Sequence, residues 1–206
     1  VNASTHADDI KSDSRYDSFY DWHFLNMELD DDYKDVIPSE KGDVFIAINK
    51  CIDILESDST SDSEKSFYLK LLVHFVGDLH QPLHIGRYED RGANRVYVKW
   101  FGRNSNLHRV WDSDMINSHN MSYSELAINL PNPDFLVFTD EAKDFERADI
   151  LDWVNEIHVY TNQIYAGVSV DDKLGYEYQY KNFGTVEELL LIGGIRLAKI
   201  LNYLFD

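Results

Sequence analysis

The sequence predicts a single all-α domain carrying one small β-hairpin. Three observations support that expectation. Apolar residues recur at helical spacing through residues 42–56, 61–79, 140–168 and 186–205. Strict alternation occurs in one place, residues 94–101. No internal repeat, low-complexity tract or linker divides the 206 residues, a length suited to one domain with a substantial core.

Residues 1–27 read as a short helix over 5–12, a polar loop and an aromatic segment ending at His23 and Phe24. An acidic loop over 28–40 closes on Pro38 and Ser39, a helix entry. Val44, Phe45, Ile48, Cys51, Ile52 and Leu55 then mark one helix face. Ser61 and Glu64 stand at capping-box spacing before a helix that runs to about residue 79, where Gln81 and Pro82 end it. Val96, Val98 and Trp100 alternate with Arg95, Tyr97 and Lys99, giving a strand with a basic face, and residues 102–106 supply its turn. A helix starts near Leu107, and a shorter one covers 122–130. Pro131 and Pro133 break the chain before a long helical region over 140–168, striped by Phe145, Ile150, Trp153, Val154, Ile157, Tyr160 and Ile164. The last helix covers 186–205, where Gly193 and Gly194 mark close helix packing.

Apolar residues make up 44% and charged residues 27%, as in an ordinary soluble domain, and no apolar run reaches membrane-spanning length. No signal peptide is visible, and Val1 opens in mid-pattern without a methionine, so a processed or incomplete chain is expected. The single cysteine, Cys51, excludes an intrachain disulfide and a cysteine-rich zinc site, and reads as a small core residue. Asn2-Ala3-Ser4 and Asn120-Met121-Ser122 match the glycosylation sequon by pattern alone. A net charge of −18 argues against a nucleic-acid binder held by phosphate contacts. The charge is unevenly spread, however. Within residues 85–110, Arg87, Arg91, Arg95, Lys99, Arg103 and Arg109 face only Glu89 and Asp90, a local balance of +4 that leaves −22 for the rest. A phosphate-bearing substrate would suit such a segment, and so would a solvated hairpin.

The chemistry concentrates between His74 and Asp112. His74 and Asp78 are four apart, as are His108 and Asp112, so each pair shares one helix face, with His84 between the pairs. Leu71, Leu72, Val73, Phe75 and Val76 surround His74 with apolar residues, where a histidine and a carboxylate are costly unless satisfied. A metal ion satisfies both, compensating the carboxylate and accepting neutral imidazole. Taken singly, Asp8 reads as a helix-surface carboxylate and His23 as a core histidine.

At these residues the chain resembles the S1/P1 nuclease family, zinc enzymes related to bacterial zinc phospholipase C. The matching motifs are Ala7-Asp8 with Ile10, Trp22-His23-Phe24, His74-Phe75-Val76-Gly77-Asp78, Gln81-Pro82-Leu83-His84, Gly92-Ala93-Asn94, and Asn106-Leu107-His108 with Trp111-Asp112. Together with residues 193–202, they stand in the family's order across essentially the whole chain. Position by position, the resemblance implies one zinc held by Asp8, His23, His74 and Asp78, and a second held by His84, His108 and Asp112. A third zinc in the family uses the carboxylate at Asp78 together with an N-terminal tryptophan and histidine. The segment supplying those two would precede Val1 and is missing from this sequence, so the ligands here fully support two ions. His6 is no evident replacement, and His80 reads as a residue behind the ligands or at the surface.

The resemblance further implies hydrolysis of single-stranded DNA and RNA to 5′-nucleotides, 3′-nucleotidase activity, and secretion or export to a periplasm. No membrane association and no obligate protein partner is expected. Asp8 takes the catalytic role of orienting the attacking water or accepting its proton. Phe24 matches the family's base-stacking position, Asn94 a residue near the substrate, and Asn26 a position where some members read the base edge with an aspartate. Ala93 replaces a usual glycine. Two readings compete: a phospholipase C-like phosphodiesterase, in which a glutamate usually stands at Asp112, and a weakly active zinc-stabilised binding domain.

Overall fold

The computed structural model describes residues 2–130 and 144–206. Helix α1 (Asn2–Asp9) leads through 3-10 turns over Ile10–Ser12 and Ser14–His23 into the two-residue strand β1 (Leu25–Asn26). Helices α2 (Val44–Glu56) and α3 (Asp62–Leu79) form a packed pair, each opened by a side-chain cap. Asp43 accepts a bond from Ile46 N–H, and Ser61 accepts one from Glu64 N–H, the half of the expected capping box that forms. Pro82–His84 makes a 3-10 turn into β2 (Ile85–Gly86), and β3 (Tyr97–Trp100) pairs antiparallel with β4 (Arg103–Asn106). The chain then runs helically from Leu107 to His119, as α4 (Leu107–Arg109), a π-type turn over Val110–Asp114 and α5 (Met115–His119). Helix α6 (Tyr123–Asn129) carries a complete capping box between Ser122 and Glu125. Helix α7 (Asp149–Ala166), strand β5 (Lys173–Leu174) and α8 (Tyr176–Phe205) finish the described chain. The fold is all-α with short strands.

The structure differs from expectation at several places. The first helix spans 2–9, where 5–12 is expected. The hairpin turns on Phe101 and Gly102, both at positive φ, so residues 103–106 are the returning strand and not the turn. Two parallel pairings add to the expected hairpin: β3 with β5 extends it to three strands, and β1 with β2 forms a separate two-stranded sheet. Helix α8 begins at Tyr176, ten residues before the predicted start at 186. The described part of the 140–168 helix is Asp149–Ala166, with Phe145 buried ahead of it; Pro131, Pro133 and residues 140–143 lie outside the described residues.

Two apolar cores stand side by side. One gathers Ala7 and Trp22 with the inner faces of α2, α3, α7 and the C-terminal part of α8. The other joins Leu83, Ala93 and the inner hairpin residues Val96, Val98 and Trp100 to Leu107, Trp111 and Phe183. The candidate ligands lie between them. His74 and Asp78 project from α3 in the first core, while His84, His108 and Asp112 adjoin residues of the second. The parallel pairing of β1 with β2, Leu25 opposite Ile85, brings His23 and His84 to the same edge.

Candidate metal centre

The structure assembles the seven predicted ligands into two linked clusters. In the first, His74 Nε2 lies 3.0 Å from His23 Nδ1 and 3.8 Å from Asp8 Oδ1. His23 Nδ1 is 4.0 Å from the same Asp8 oxygen. Asp78 Oδ2 stands 2.8 Å from His23 Nδ1 and 3.0 Å from His74 Nε2. Helical spacing explains the last contact, since residues 74 and 78 are one turn apart on α3. In the second cluster, the His84 and His108 rings stack with centroids 5.1 Å apart, and His84 Nε2 is 3.5 Å from Asp112 Oδ1. The donor atoms of Asp8, His23 and His74, and those of His84, His108 and Asp112, each lie within 4.8 Å of one another. Asp78 joins the clusters, because its other oxygen is 3.2 Å from His84 Nδ1.

Backbone carbonyls orient the rings. His74 Nδ1 meets the Ser4 carbonyl at 2.5 Å, and His108 Nδ1 meets that of Gly92 at 2.7 Å. With Nδ1 donating, the lone pair of each neutral ring sits on Nε2, the tautomer that ligates a metal. The Gly92 carbonyl is positioned by close backbone packing. A Cβ at Gly92 would lie 2.3 Å from the Leu83 carbonyl oxygen, and its φ is +59°. Only glycine lets this loop approach the turn that carries His84. Buried Asp90 fastens the same loop, accepting 2.7 Å bonds at Oδ1 from Ala93 N–H and from Tyr165 O–H of α7. Its Oδ2 receives Arg87 Nε at 3.0 Å. The His108/Asp112 pair does not sit on a plain α-helix, because the π-type turn begins between them at Val110. Such turns widen a helix by one residue and recur at functional sites.

Electrostatics match the donor set. Burial raises the Asp78 carboxyl pKa, but the His84 charge and bonds from His23 and His74 outweigh it and hold the group well below the carboxylate range. Burial lowers the His84 pKa, but Asp78 and Asp112 outweigh that and push it up to about 9. His23 and His108 are lowered, chiefly by burial. The largely covered Asp78 carboxylate among imidazoles, with Asp8 and Asp112 beside it, thus calls for positive charge, a demand that a divalent cation meets. Nitrogen and carboxylate oxygen donors, four in one cluster and three in the other, fit zinc, with the three-ligand site resembling a catalytic one. The Asp8 and Asp112 side chains are 58% and 47% exposed, so the centre opens to solvent on its carboxylate side.

The other predicted residues fall at different distances from this centre. Phe24 is half-buried directly after His23, with the exposed Tyr20 ring edge-on at 6.1 Å. Asn26 lies in β1, beside Gly86. Asn94 is exposed, and its amide donates to the Arg91 carbonyl. His80 is neither at the surface nor among the ligands. It is buried between α3 and α8, bonded to the Val76 carbonyl and to Arg196 under Gly193, whose added Cβ would stand 3.1 Å from the ring. Burial lowers its pKa to about 3. Gly193 therefore packs closely as expected, whereas Gly194 faces open space. His6 packs edge-on against Phe67 and contributes to neither cluster. Sequence reasoning missed Lys11, whose ammonium lies 2.6 Å from Asp8 Oδ1 at the mouth of the centre, although its spacing of three from Asp8 was visible. It also missed Asp90 and Tyr165, 75 residues apart and without a local signal.

The family model described as S1/P1 Nuclease matches residues 1–206. The chain is 31% identical over 214 residues to Endonuclease 2 of Arabidopsis thaliana, covering 90% of this chain and 73% of that protein. It is 31% identical over 184 residues to Endonuclease 4 of the same plant, covering 77% and 58%. Nuclease S1 of Aspergillus oryzae is 27% identical over 225 residues, covering 96% and 76%.

Proposed function

Because the chain belongs to the S1/P1 nuclease family, we propose that it is a zinc-dependent phosphodiesterase that cleaves single-stranded DNA and RNA to 5′-nucleotides and removes 3′-phosphates. The observation that most supports this reading is the pair of Asp/His clusters joined at Asp78. Asp8, His23, His74 and Asp78 would hold one zinc ion, and His84, His108 and Asp112 a second. For the third ion of the family, Asp78 is the ligand this sequence contains. Bound zinc supplies positive charge against the phosphate and leaving oxygens and lowers the pKa of water toward neutrality.

The chain's own groups do the rest. Asp8, the most exposed carboxylate of the centre, orients the attacking water and takes its proton. Lys11 holds a cation beside that carboxylate, where the anionic substrate enters. Phe24, flanked by Tyr20, offers an aromatic face on which an unpaired base stacks while its phosphate reaches the centre. The Asn26 amide has both a donor and an acceptor for the base edge, and Asn94 stands at the exposed rim. Export from the cytoplasm belongs to the same proposal. Among the described residues no helix is long and apolar enough to cross a membrane.

Zinc-loaded protein incubated with single-stranded DNA should release 5′-mononucleotides, and a chelator should abolish the release. Turnover of phosphatidylcholine in place of DNA would favour the phospholipase C-like reading. Tight zinc binding with no turnover of either substrate would favour the zinc-stabilised binding domain.

A further inference from the structure

Helix α3 ends at the metal centre, and its last turn is held from behind. Asp78 and His80 are two residues apart, so their side chains leave this turn on opposite sides, about 200° around the axis. Asp78 faces the two clusters. His80 faces α8, where Arg196 Nη1 lies 3.1 Å from its Nε2. A guanidinium only donates, so Nε2 is the acceptor and the ring proton sits on Nδ1. Nδ1 in turn donates to the Val76 carbonyl at 2.7 Å. That carbonyl belongs to the last turn of the helix, where regular α-geometry provides no amide partner. The His80 N–H bonds the Gly77 carbonyl instead, at 3.0 Å.

From this turn the chain reaches the next ligand through one run of local bonds. The Asp78 carbonyl accepts from Gln81 N–H at 3.1 Å, the Gln81 side chain from Leu83 N–H at 2.6 Å, and the Gln81 carbonyl from His84 N–H at 2.9 Å. The placement of His84 therefore follows from the end of α3. Arg196 is 2% exposed and ties that end to two other helices. It pairs with Glu156 of α7, its guanidinium carbon lies 5.0 Å from the centroid of the Trp153 ring, and Gly193, one turn earlier on α8, leaves the gap that His80 fills. Helix α7 meets the same run again, with Thr161 donating to the Pro82 carbonyl. A buried ion pair adds little net stability over apolar side chains of equal volume. What the rigid fork of an arginine supplies is direction.

We propose that Arg196, acting through His80, is a positioning residue for the metal centre: it fixes the last turn of α3 so that Asp78 faces both clusters and the turn that follows delivers His84. The proposal rests on the reading of these clusters as zinc sites, and it adds to them a residue outside both ligand sets.

The test measures zinc affinity by chelator competition and, side by side, the melting temperature of the chelated protein. Arg196→Met, similar in length and uncharged, should lower zinc affinity about 10-fold, the scale on which orienting partners act. His80→Leu should do the same, and the double variant should lose no more than either alone, because the two residues act in series. Arg147→Met is the control. That arginine pairs with Asp53 and Glu56 of α2, outside both clusters, so its loss should lower the melting temperature and leave zinc affinity within about 2-fold. Arg196→Lys keeps a charge opposite Glu156 but gives up the fork, and should still lose about 3-fold or more; it carries the test if the methionine variant fails to fold. Additive losses in the double variant, or melting temperatures that fall while zinc affinity holds, overturn the proposal and assign Arg196 to the fold alone. No zinc binding by the unsubstituted chain is a different failure, which removes the metal centre itself and this proposal with it.

Discussion

Asp78 Oδ1 lies 3.2 Å from His84 Nδ1, while its second oxygen meets His23 and His74 in the neighbouring cluster. One carboxylate therefore touches imidazoles of both clusters, so the clusters are coupled. Asp78→Asn keeps the volume and removes the charge. It should weaken zinc binding at both clusters by about 10-fold or more, the scale of a ligand or its immediate partner. Competition with a chelator measures this, and an unchanged affinity at either cluster would contradict the coupling.

The His84 pKa, raised to about 9 from 6.5, makes zinc binding pH-dependent. Ligation needs the neutral ring, so binding displaces the His84 proton below that pH. Zinc affinity should climb from about pH 6.5 to about 9 and then level off. Calorimetry near neutral pH should show about one proton released from this residue, as heats that depend on the buffer's ionisation enthalpy. Linkage gives the companion sign for chelated protein. The raised histidine stabilises the fold fully below its unfolded pKa, and that contribution fades as pH rises through about 9. The depressed Asp78 carboxyl stabilises the fold above the ordinary carboxylate range, and that is lost in acid. The thermal stabilisation by zinc should therefore grow from pH 6.5 toward 9, and buffer-independent heats would refute the assignment of His84.

Asp90 acts on the centre through the loop that presents the Gly92 carbonyl to His108. Asp90→Ala leaves Ala93 N–H and Tyr165 O–H without their buried acceptor, costing about 1–3 kcal/mol for each group left unsatisfied. Beyond this loss of stability, zinc affinity at the His84/His108/Asp112 cluster should fall 10- to 100-fold, as expected when a ligand loses its orienting partner. The Asp8/His23/His74 cluster should keep its affinity. A stability loss without any change in zinc affinity would assign Asp90 to the fold alone.

Gly92 and Gly102 both have positive φ, but an added Cβ at Gly92 meets the Leu83 carbonyl oxygen at 2.3 Å, whereas at Gly102 it meets nothing within 4 Å. Gly102→Ala should cost only the backbone term, about 1–2 kcal/mol. Gly92→Ala should cost several kcal/mol more than that and perturb the second cluster. Urea denaturation of the two variants checks the difference; equal losses would mean that the close approach at Leu83 relaxes freely.

The candidate pairs were legible in sequence because residues four apart on a helix share a face, as His74 and Asp78 do on α3; His108 and Asp112 still come together, but across a π-type turn that the sequence did not announce. The long helices were legible for the same periodic reason. What joins the clusters was not. The β1–β2 pairing is two residues long and leaves no alternation, yet it joins the segments that carry His23 and His84, which then meet the two oxygens of Asp78. Asp90 stands among arginines and looks like a solvated charge, until α7 buries it from 75 positions away. His80 carries no local sign that α8 will cover it through the gap left by Gly193. The start of α8 was missed because Tyr176 to Thr185 is polar and aromatic, with a weak apolar stripe. The hairpin turn was misplaced because Phe101, a bulky residue, takes the left-handed conformation that sequence reading reserves for glycine or asparagine.

The seven side chains are proposed to hold two separate zinc ions within one coupled centre. Counting zinc bound per chain, by elemental analysis after dialysis, tests it most directly in the unsubstituted protein, His23→Ala and His108→Ala. At least two ions per chain are expected in the first, with each variant losing one and both losing phosphodiesterase turnover on single-stranded DNA. A full zinc complement in His108→Ala, or turnover unaffected by either substitution, would contradict the assignment.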